Sequence, residues 1–303
     1  MRLSLRQLEV FDAIARTGSV VKAAEVIGLS QSATSLSLRD LENNLGAPLF
    51  LRHGKKLLIN ENGERLRLRA NSLIRQISEI ESLLDDRSLQ GTLRVGASDT
   101  IGNYILPALC GGFMRAHEKV RMELAVQTAG SVMDGLENMS LDLGFIDSSC
   151  NRHALHVLPW IEDELVFFCA PDHRLAGRKR LPVAELERET WFLQPPYHSA
   201  RTFVVPYIGR YIRALNIGFV SDSAEAIKQT VAAGTGIGCL SRIVLAPELK
   251  SGQLRSIEVH ELDFRRVFNI ITRKNSYQTE LQRAFVDYVM AAGAQAAESV
   301  GSR

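Results

Sequence analysis

Apolar positions at the start of the chain recur three and four residues apart and are cut by turn-forming residues at short intervals. Leu8, Phe11, Ile14 and Ala15 predict a helix from about Leu5 to Arg16, opened by the capping-box pair Ser4 and Gln7 and ended by Thr17-Gly18. Ser19 caps a second helix carrying Val20, Ala23, Ala24 and Ile27, which Gly28 stops. Ser30 opens a third helix that runs to about Asn44 and is closed by Gly46 and Pro48. Short helices, a glycine turn and small alanines where helices must approach form a helix-turn-helix pattern.

The third helix sorts its residues by face. Thr34, Leu38, Leu41 and Leu45 form one stripe, expected to pack on the first two helices. Ser32, Ser35, Leu36, Arg39 and Asn43 lie opposite, with Gln31 near the N-terminal rim. In a DNA major groove Gln31 offers paired hydrogen bonds to adenine, Arg39 reaches guanine or phosphate, the serines serve base or backbone, and Leu36 meets a thymine methyl. A plain solvated face is the alternative. Phe50 to Ile59 then reads as two short strands about Gly54, a wing that would lay Arg52, Lys55 and Lys56 on phosphates or in the minor groove.

Over 62–86, Leu66, Leu73, Ile77, Ile80 and Leu84 make the seam of a long helix. The seam either packs on its own chain or joins two copies, and a two-fold dimer would read two half-sites. Past Asp85-Asp86-Arg87 the pattern changes to strands alternating with helices, as in an α/β domain with mostly parallel strands. Strands are expected at Thr92–Ala97, Arg121–Gln127, Leu141–Ile146, Glu164–Ala170, Glu189–Leu193 and Val267–Thr272. Helices are expected at Thr100–Ala116, Ser131–Met139, Ser223–Ala233 and Gln278–Ala292.

Length and composition bound this picture. At about 150 residues per domain, 303 residues suggest two or three domains. The longest apolar runs fall short of the roughly 18 residues a membrane helix needs. The first residues lack an apolar leader core, which leads us to expect the cytoplasm. Cys110, Cys150, Cys169 and Cys239 are scattered, as suits free thiols in a reducing compartment. The net charge of +2 divides unevenly: +3 on residues 1–60, −1 on 61–87 and zero on the rest. Positive charge therefore gathers where the DNA-reading pattern lies.

Several motifs invite other chemistry. Gly234-Thr235-Gly236-Ile237-Gly238 follows a helix and lacks a third glycine at Cys239, so it fits a helix stop leading into a strand better than a nucleotide loop. Cys150, His153 and His156 could hold a soft metal or simply edge a loop. No spacing supports a nucleophile elbow or a catalytic carboxylate pair, so no catalytic residue, resident metal or cofactor is expected.

Taken together, Phe11, Gly18-Ser19, Ala23-Ala24, Leu29-Ser30-Gln31, Ser35, Leu41-Glu42, Leu45-Gly46, Leu49-Phe50 and Arg52 resemble the winged helix-turn-helix of LysR-type transcriptional regulators. Gly91 to Gly96, Leu106-Pro107, Phe113, Leu141 to Gly144, Ala170-Pro171 with His173, and Val231 to Gly238 resemble that family's effector domain. The resemblance implies an α-helical winged helix-turn-helix domain over 1–60 and a linker helix over 61–87 that makes dimers or tetramers. An α/β effector domain, two-lobed like a periplasmic binding protein, would follow over 88–303. Lobe I would take about 91–164 and 267–303 and lobe II about 165–266, with crossings near Glu164 and Arg266. It implies double-stranded DNA, a small-molecule effector and RNA polymerase as partners, with Ser30, Gln31, Ser32, Ser35, Leu36, Arg39, Arg52, Lys55 and Lys56 on the DNA side.

Ligands of open α/β sheets sit beyond the carboxyl ends of strands. That rule nominates Ser98, Asp99, Thr100, Thr128, Ser131 and Asp147 from lobe I, and Gln194, His198, Ser199 and Arg201 from lobe II. Each serine or threonine reads equally well as a helix cap. Gly96 to Pro107 and Leu143 to Asp147 resemble the subgroup tied to inorganic sulfur and carbon-fixation genes, which implies a small anion such as sulfite. Asp99 stands where that subgroup often has threonine or serine, and Gln194 to Arg201 replaces a glycine-rich loop. A solute-binding or transport protein, and an enzyme built on the lobes, are the rival readings.

Overall fold

The computed structural model describes residues 3–53, 56–82, 89–178, 180–259, 264–274 and 276–301. The chain divides into two units, one of 1–90 with 138–140 and the other of 91–137 and 141–303.

In the first unit, α1 (Leu5–Thr17), α2 (Val20–Ile27) and α3 (Gln31–Leu45) form the three-helix head. The Ser4–Gln7 capping box is reciprocal, and α1 and α2 end at Gly18 and Gly28 with φ of 65° and 67°, where a side chain would be strained. Leu8, Phe11, Ile14, Ala23, Leu38 and Leu41 fill the core. Leu45 departs from the expected stripe: it is the last residue of α3, overhangs the core and is 39% exposed. Strands β1 (Phe50–His53) and β2 (Lys56–Ile59) pair antiparallel as the wing, and Leu57 N–H donates to Gly18 O at 2.9 Å.

Asn60 then organises the entry to α4 (Glu61–Ser82). Its Oδ1 accepts from Gly63 N–H at 2.9 Å and its Nδ2 donates to Pro48 O at 2.9 Å. A Cβ at Gly63 would lie 2.3 Å from Leu49 O, so only glycine fits this crossing of wing and helix.

The second unit is α/β. Its elements are β3 (Gly91–Ala97), α5 (Asp99–Tyr104), α6 (Leu106–Ala116), β4 (Val120–Val126), α7 (Ala129–Glu137), β5 (Leu143–Ile146), β6 (Leu155–Cys169), β7 (Thr190–Leu193), α8 (Ser199–Ile208), β8 (Asn216–Val220), α9 (Ala224–Ala232), β9 (Ile237–Ser241), α10 (Arg242–Ser251), β10 (Arg255–Ile257), β11 (Arg265–Arg273) and α11 (Glu280–Gly301). The strand order is β4-β3-β5-β11-β6-β9-β7-β8, with β10 also on β6. Strands β3, β4 and β5 run parallel in lobe I and β7, β8 and β9 in lobe II.

The long β6 joins the two lobes. Its residues 155–164 pair with β11 and its residues 165–168 pair with β9. Return strand β11 starts opposite Glu164, so both crossings lie side by side as one antiparallel ribbon. The expected strand at Glu164–Ala170 is thus only the end of a 15-residue element, which is buried over 165–169 and mostly exposed or half-buried before that.

The helix expected over Thr100–Ala116 is two helices. Pro107 has no N–H to continue the ladder, and the chain breaks at Ile105. Gly234, at φ 86°, stands between α9 and β9, so the glycine run is a helix stop into a strand. Phe113, Phe145, Trp160 and Phe285 form an aromatic core in lobe I. Lobe II buries Phe167 and Trp191 on one side of its sheet and Phe168 and Phe192 on the other.

Candidate DNA-reading and effector sites

The head presents α3 as an exposed polar surface. Gln31, Ser32, Ser35 and Arg39 are exposed, and Leu36 is 56% exposed, while Thr34, Leu38 and Leu41 face the core. Ser30 caps the helix, its Oγ accepting from Ala33 N–H at 3.2 Å and lying 3.0 Å from Ser32 Oγ. Arg52 and Lys56 are exposed on the two wing strands. Lys55 and Leu84 lie outside the described residues.

On α4, Leu66 and Ile74 pack against the head core and Ala70 is buried within it. Leu66 is therefore turned to its own chain, since Leu66, Ala70 and Ile74 recur every four residues and share one helical face. Leu73 and Ile80, 47% and 62% exposed, stay open, and Ile77 is half-buried.

The cleft is built at strand ends. Ser98, which precedes α5, donates from Oγ to Phe145 O at 3.3 Å and accepts from Asp147 N–H at 3.0 Å, tying the ends of β3 and β5 together. Thr100 is buried on α5. Ser199, the first residue of α8 in lobe II, donates to Asp147 Oδ2 across the lobes. Arg266 Nη1 lies 3.3 Å from the same oxygen and 3.2 Å from Ser199 Oγ, and Arg266 Nε donates to Asp163 Oδ2 at 2.8 Å. Ser241 Oγ donates to Asp163 Oδ1 at 2.6 Å. Asp163 and Arg266 are register partners on the crossing ribbon, so one buried polar network spans lobe I, the crossing and lobe II.

Asp99 lies beside this network. Burial raises its carboxyl above the usual carboxylate range, although His198 and hydrogen bonds from Gln194 and Asn103 oppose the rise, and Asp147 adds to it. His198 Nε2 is 3.0 Å from Asp222 Oδ1, which also accepts from Tyr197 Oη at 2.6 Å. These two hydrogen bonds, Tyr197's first, hold the Asp222 carboxyl low.

Three nominated residues lie elsewhere. Thr128 and Ser131 bond to each other at 2.9 Å as a local cap of α7. Arg201 is two residues past Ser199, a turn of about 200° on a helix, so it faces away from Asp147. It donates to Gln194 O at 3.0 Å and lines a small apolar cavity with Trp191, Val204 and Cys239.

Arg266 and Asp163 were not among the nominated side chains. The sequence marks only their neighbourhood: Asp163 lies in the acidic run Glu162-Asp163-Glu164 and Arg266 in the pair Arg265-Arg266, each at an expected crossing, and nothing local singles out either charge as the buried one. Lys228 was also missed. It is buried on α9 between Glu225 at 2.8 Å and Glu248 at 2.6 Å, and sits 6.0 Å over the ring of Tyr104 from the other lobe. Among the described residues no group of three His, Cys, Asp or Glu side chains could hold a metal, and Cys150, His153 and His156 form no such group.

Comparison with known proteins fits this geometry. Residues 5–64 match the model of the bacterial regulatory helix-turn-helix protein, lysR family, and residues 86–294 match the LysR substrate binding domain. The chain is 37% identical over 288 residues to the uncharacterized HTH-type transcriptional regulator YeiE of Escherichia coli (strain K12), covering 95% of this chain and 97% of that one. It is 28% identical to the RuBisCO operon transcriptional regulator of Allochromatium vinosum over 97% of this chain and 98% of the other. The regulatory domain of Synechocystis PCC6803 CcmR, solved in complex with 2-PG, superposes with a TM-score of 0.63 at 26% identity, covering 67% of this chain and 98% of that one. These matches, together with an exposed polar face on α3, a two-stranded wing and two α/β lobes crossed by one ribbon, show that the chain belongs to the LysR family of DNA-binding transcriptional regulators, which are not enzymes.

Proposed function

We propose that α3 and the wing read double-stranded DNA and that residues 61–87 join copies into a homodimer or homotetramer. In this reading residues 88–303 bind a small-molecule effector between the two lobes. The effector is a small anion such as sulfite, and its binding changes DNA affinity or bending, and through it engagement of RNA polymerase in the cytoplasm. Gln31, Ser32, Ser35, Leu36 and Arg39 serve as base-side contacts, with Ser30, Arg52, Lys55 and Lys56 on the backbone. Ser98, Asp99, Thr100, Asp147, Gln194, His198 and Ser199 line the effector site. The network from Asp147 through Ser199 to Arg266 carries this reading, because both lobes and the crossing ribbon converge on it. A ligand that competes for those hydrogen bonds changes how the lobes close.

The test uses the full chain. Calorimetry and thermal shift against sulfite, thiosulfate, sulfate, simple carboxylates and 2-PG should find a binder, and that binder should change affinity for a partly palindromic DNA fragment. Affinity for that fragment should fall steeply with salt. Equal affinity for random DNA at every modest salt concentration overturns the DNA reading. Silence toward every anion overturns the effector reading.

A further inference from the structure

The cleft carries an unusual charge for an anion site. Asp99, Asp147 and Asp163 bring three carboxyls, while the Arg266 guanidinium is already shared between Asp147 and Asp163. Two buried atoms are nonetheless left over. Asp147 Oδ1 has no hydrogen-bond partner among the described residues, and neither has Arg266 Nη2, although both side chains are more than nine-tenths buried. The first can only accept while it is ionised, and the second can only donate. Groups so deeply buried are costly unless something satisfies them.

We infer that the cleft admits an anion only if the anion also carries its own hydrogen-bond donor. A ligand of this class presents an ionised oxygen to Arg266 Nη2 and an O–H or N–H to Asp147 Oδ1. Hydrogenphosphate, hydrogensulfite and short 2-hydroxy acids have both faces. Sulfate and acetate at neutral pH have acceptors alone, so their lone pairs would be set against the Asp147 carboxylate, and an acceptor facing a buried carboxylate is repelled rather than bound. Asp99 acts in the same direction. A second carboxyl beside the site either repels an acceptor-only ligand or, when it holds a proton, has room for one acceptor at most. Specificity here comes from what the carboxylates exclude as much as from what Arg266 attracts.

This inference rests on an anionic effector occupying the cleft, and the test separates the two ideas. Binding to the full-length protein is measured by calorimetry at neutral pH for two pairs, inorganic phosphate against sulfate, which share size and shape, and glycolate against acetate, which differ by one hydroxyl. The donor-bearing member of each pair should bind at least tenfold more tightly. Asp147→Asn, which replaces an acceptor by an amide that can donate, should bring sulfate up toward phosphate. Asp99→Thr, which leaves the Arg266 network intact, should narrow the same ratio. Equal binding within both pairs in the native protein, or ratios that neither variant moves, overturns the inference while leaving an anionic effector standing. Failure of all four probes and of sulfite overturns the anionic effector itself, and this inference with it.

Discussion

Ser199 Oγ of lobe II donates to Asp147 Oδ2 of lobe I. Ser199 is available because it opens α8, where its hydroxyl is not committed to capping its own helix. Asp147 is available because the Ser98 hydroxyl fixes its backbone at the end of β5. Neither residue would meet the other without β6 and β11 bringing the two lobes side by side.

Ser199→Ala should lower stability by about 1 kcal/mol, the ordinary worth of one hydrogen bond whose partner keeps a second donor in Arg266. For a domain of this size that corresponds to roughly 2–4 °C in Tm. Urea denaturation of the variant checks this, and an unchanged midpoint would mean that the cross-lobe bond contributes nothing.

Arg266→Met should be far more harmful, by about 3–5 kcal/mol, because Asp147 and Asp163 would stay buried with no cation. Replacing Asp163 as well, by Leu, should recover part of the loss. If the double variant is no more stable than Arg266→Met, then Asp163 is not what the guanidinium neutralises.

Asp99→Asn should raise stability at neutral pH. The Asp99 carboxyl is held above its ordinary value by burial, so the folded chain binds a proton more tightly there than the unfolded chain does. Stability contributed at this site is therefore present at low pH and lost as pH rises from the ordinary carboxylate value of 3.8 through the raised one. The variant should lack that fall, measured as the difference in denaturation midpoint across an acid-to-neutral series. A parallel fall in both proteins would remove Asp99 as its source.

On the DNA side, Arg39→Ala should weaken discrimination between specific and random fragments, because Arg39 is exposed on the outer face of α3. Arg52→Ala and Lys56→Ala should weaken binding to all sequences about equally and lower the salt slope by about 1 each. Anisotropy titrations at several salt concentrations separate the two patterns, and identical losses on every sequence for all three variants would refute the division of roles.

Leu73→Asp with Ile80→Asp should shift sedimentation toward monomer with little effect on folding, because both side chains are open to solvent on α4. A Leu66 substitution should instead destabilise the head, into whose core that residue packs. Unchanged sedimentation would place the interface elsewhere.

Local rules carried much of the chain. Capping residues, helical periodicity and glycine stops located α1 to α3 within a residue or two, because each rests on contacts between near neighbours. The exposed face of α3 followed from the same periodicity. The sequence was less informative wherever one residue serves two elements. Leu66 fitted a seam by spacing, but the head core competes for it and wins. Arg201 fitted a cleft because it follows the carboxyl end of a strand, as Ser199 does, but the turn of α8 points the two in different directions.

The sequence by itself determined the order of modules, the helix-turn-helix and wing, the alternation of strands and helices, and the strand ends at which Ser98, Asp99 and Asp147 stand. Those features depend on short-range hydrogen bonding and on the 3.6- and 2-residue periods of helix and strand. Only the tertiary structure decided that Asp163 and Arg266 face each other across the ribbon, that Ser199 completes their network from the far lobe, and that Asp147 Oδ1 and Arg266 Nη2 have no partners among the described residues. Strand register joins residues about a hundred positions apart, and burial turns their charges from solvated surface groups into a site with defined demands on its ligand.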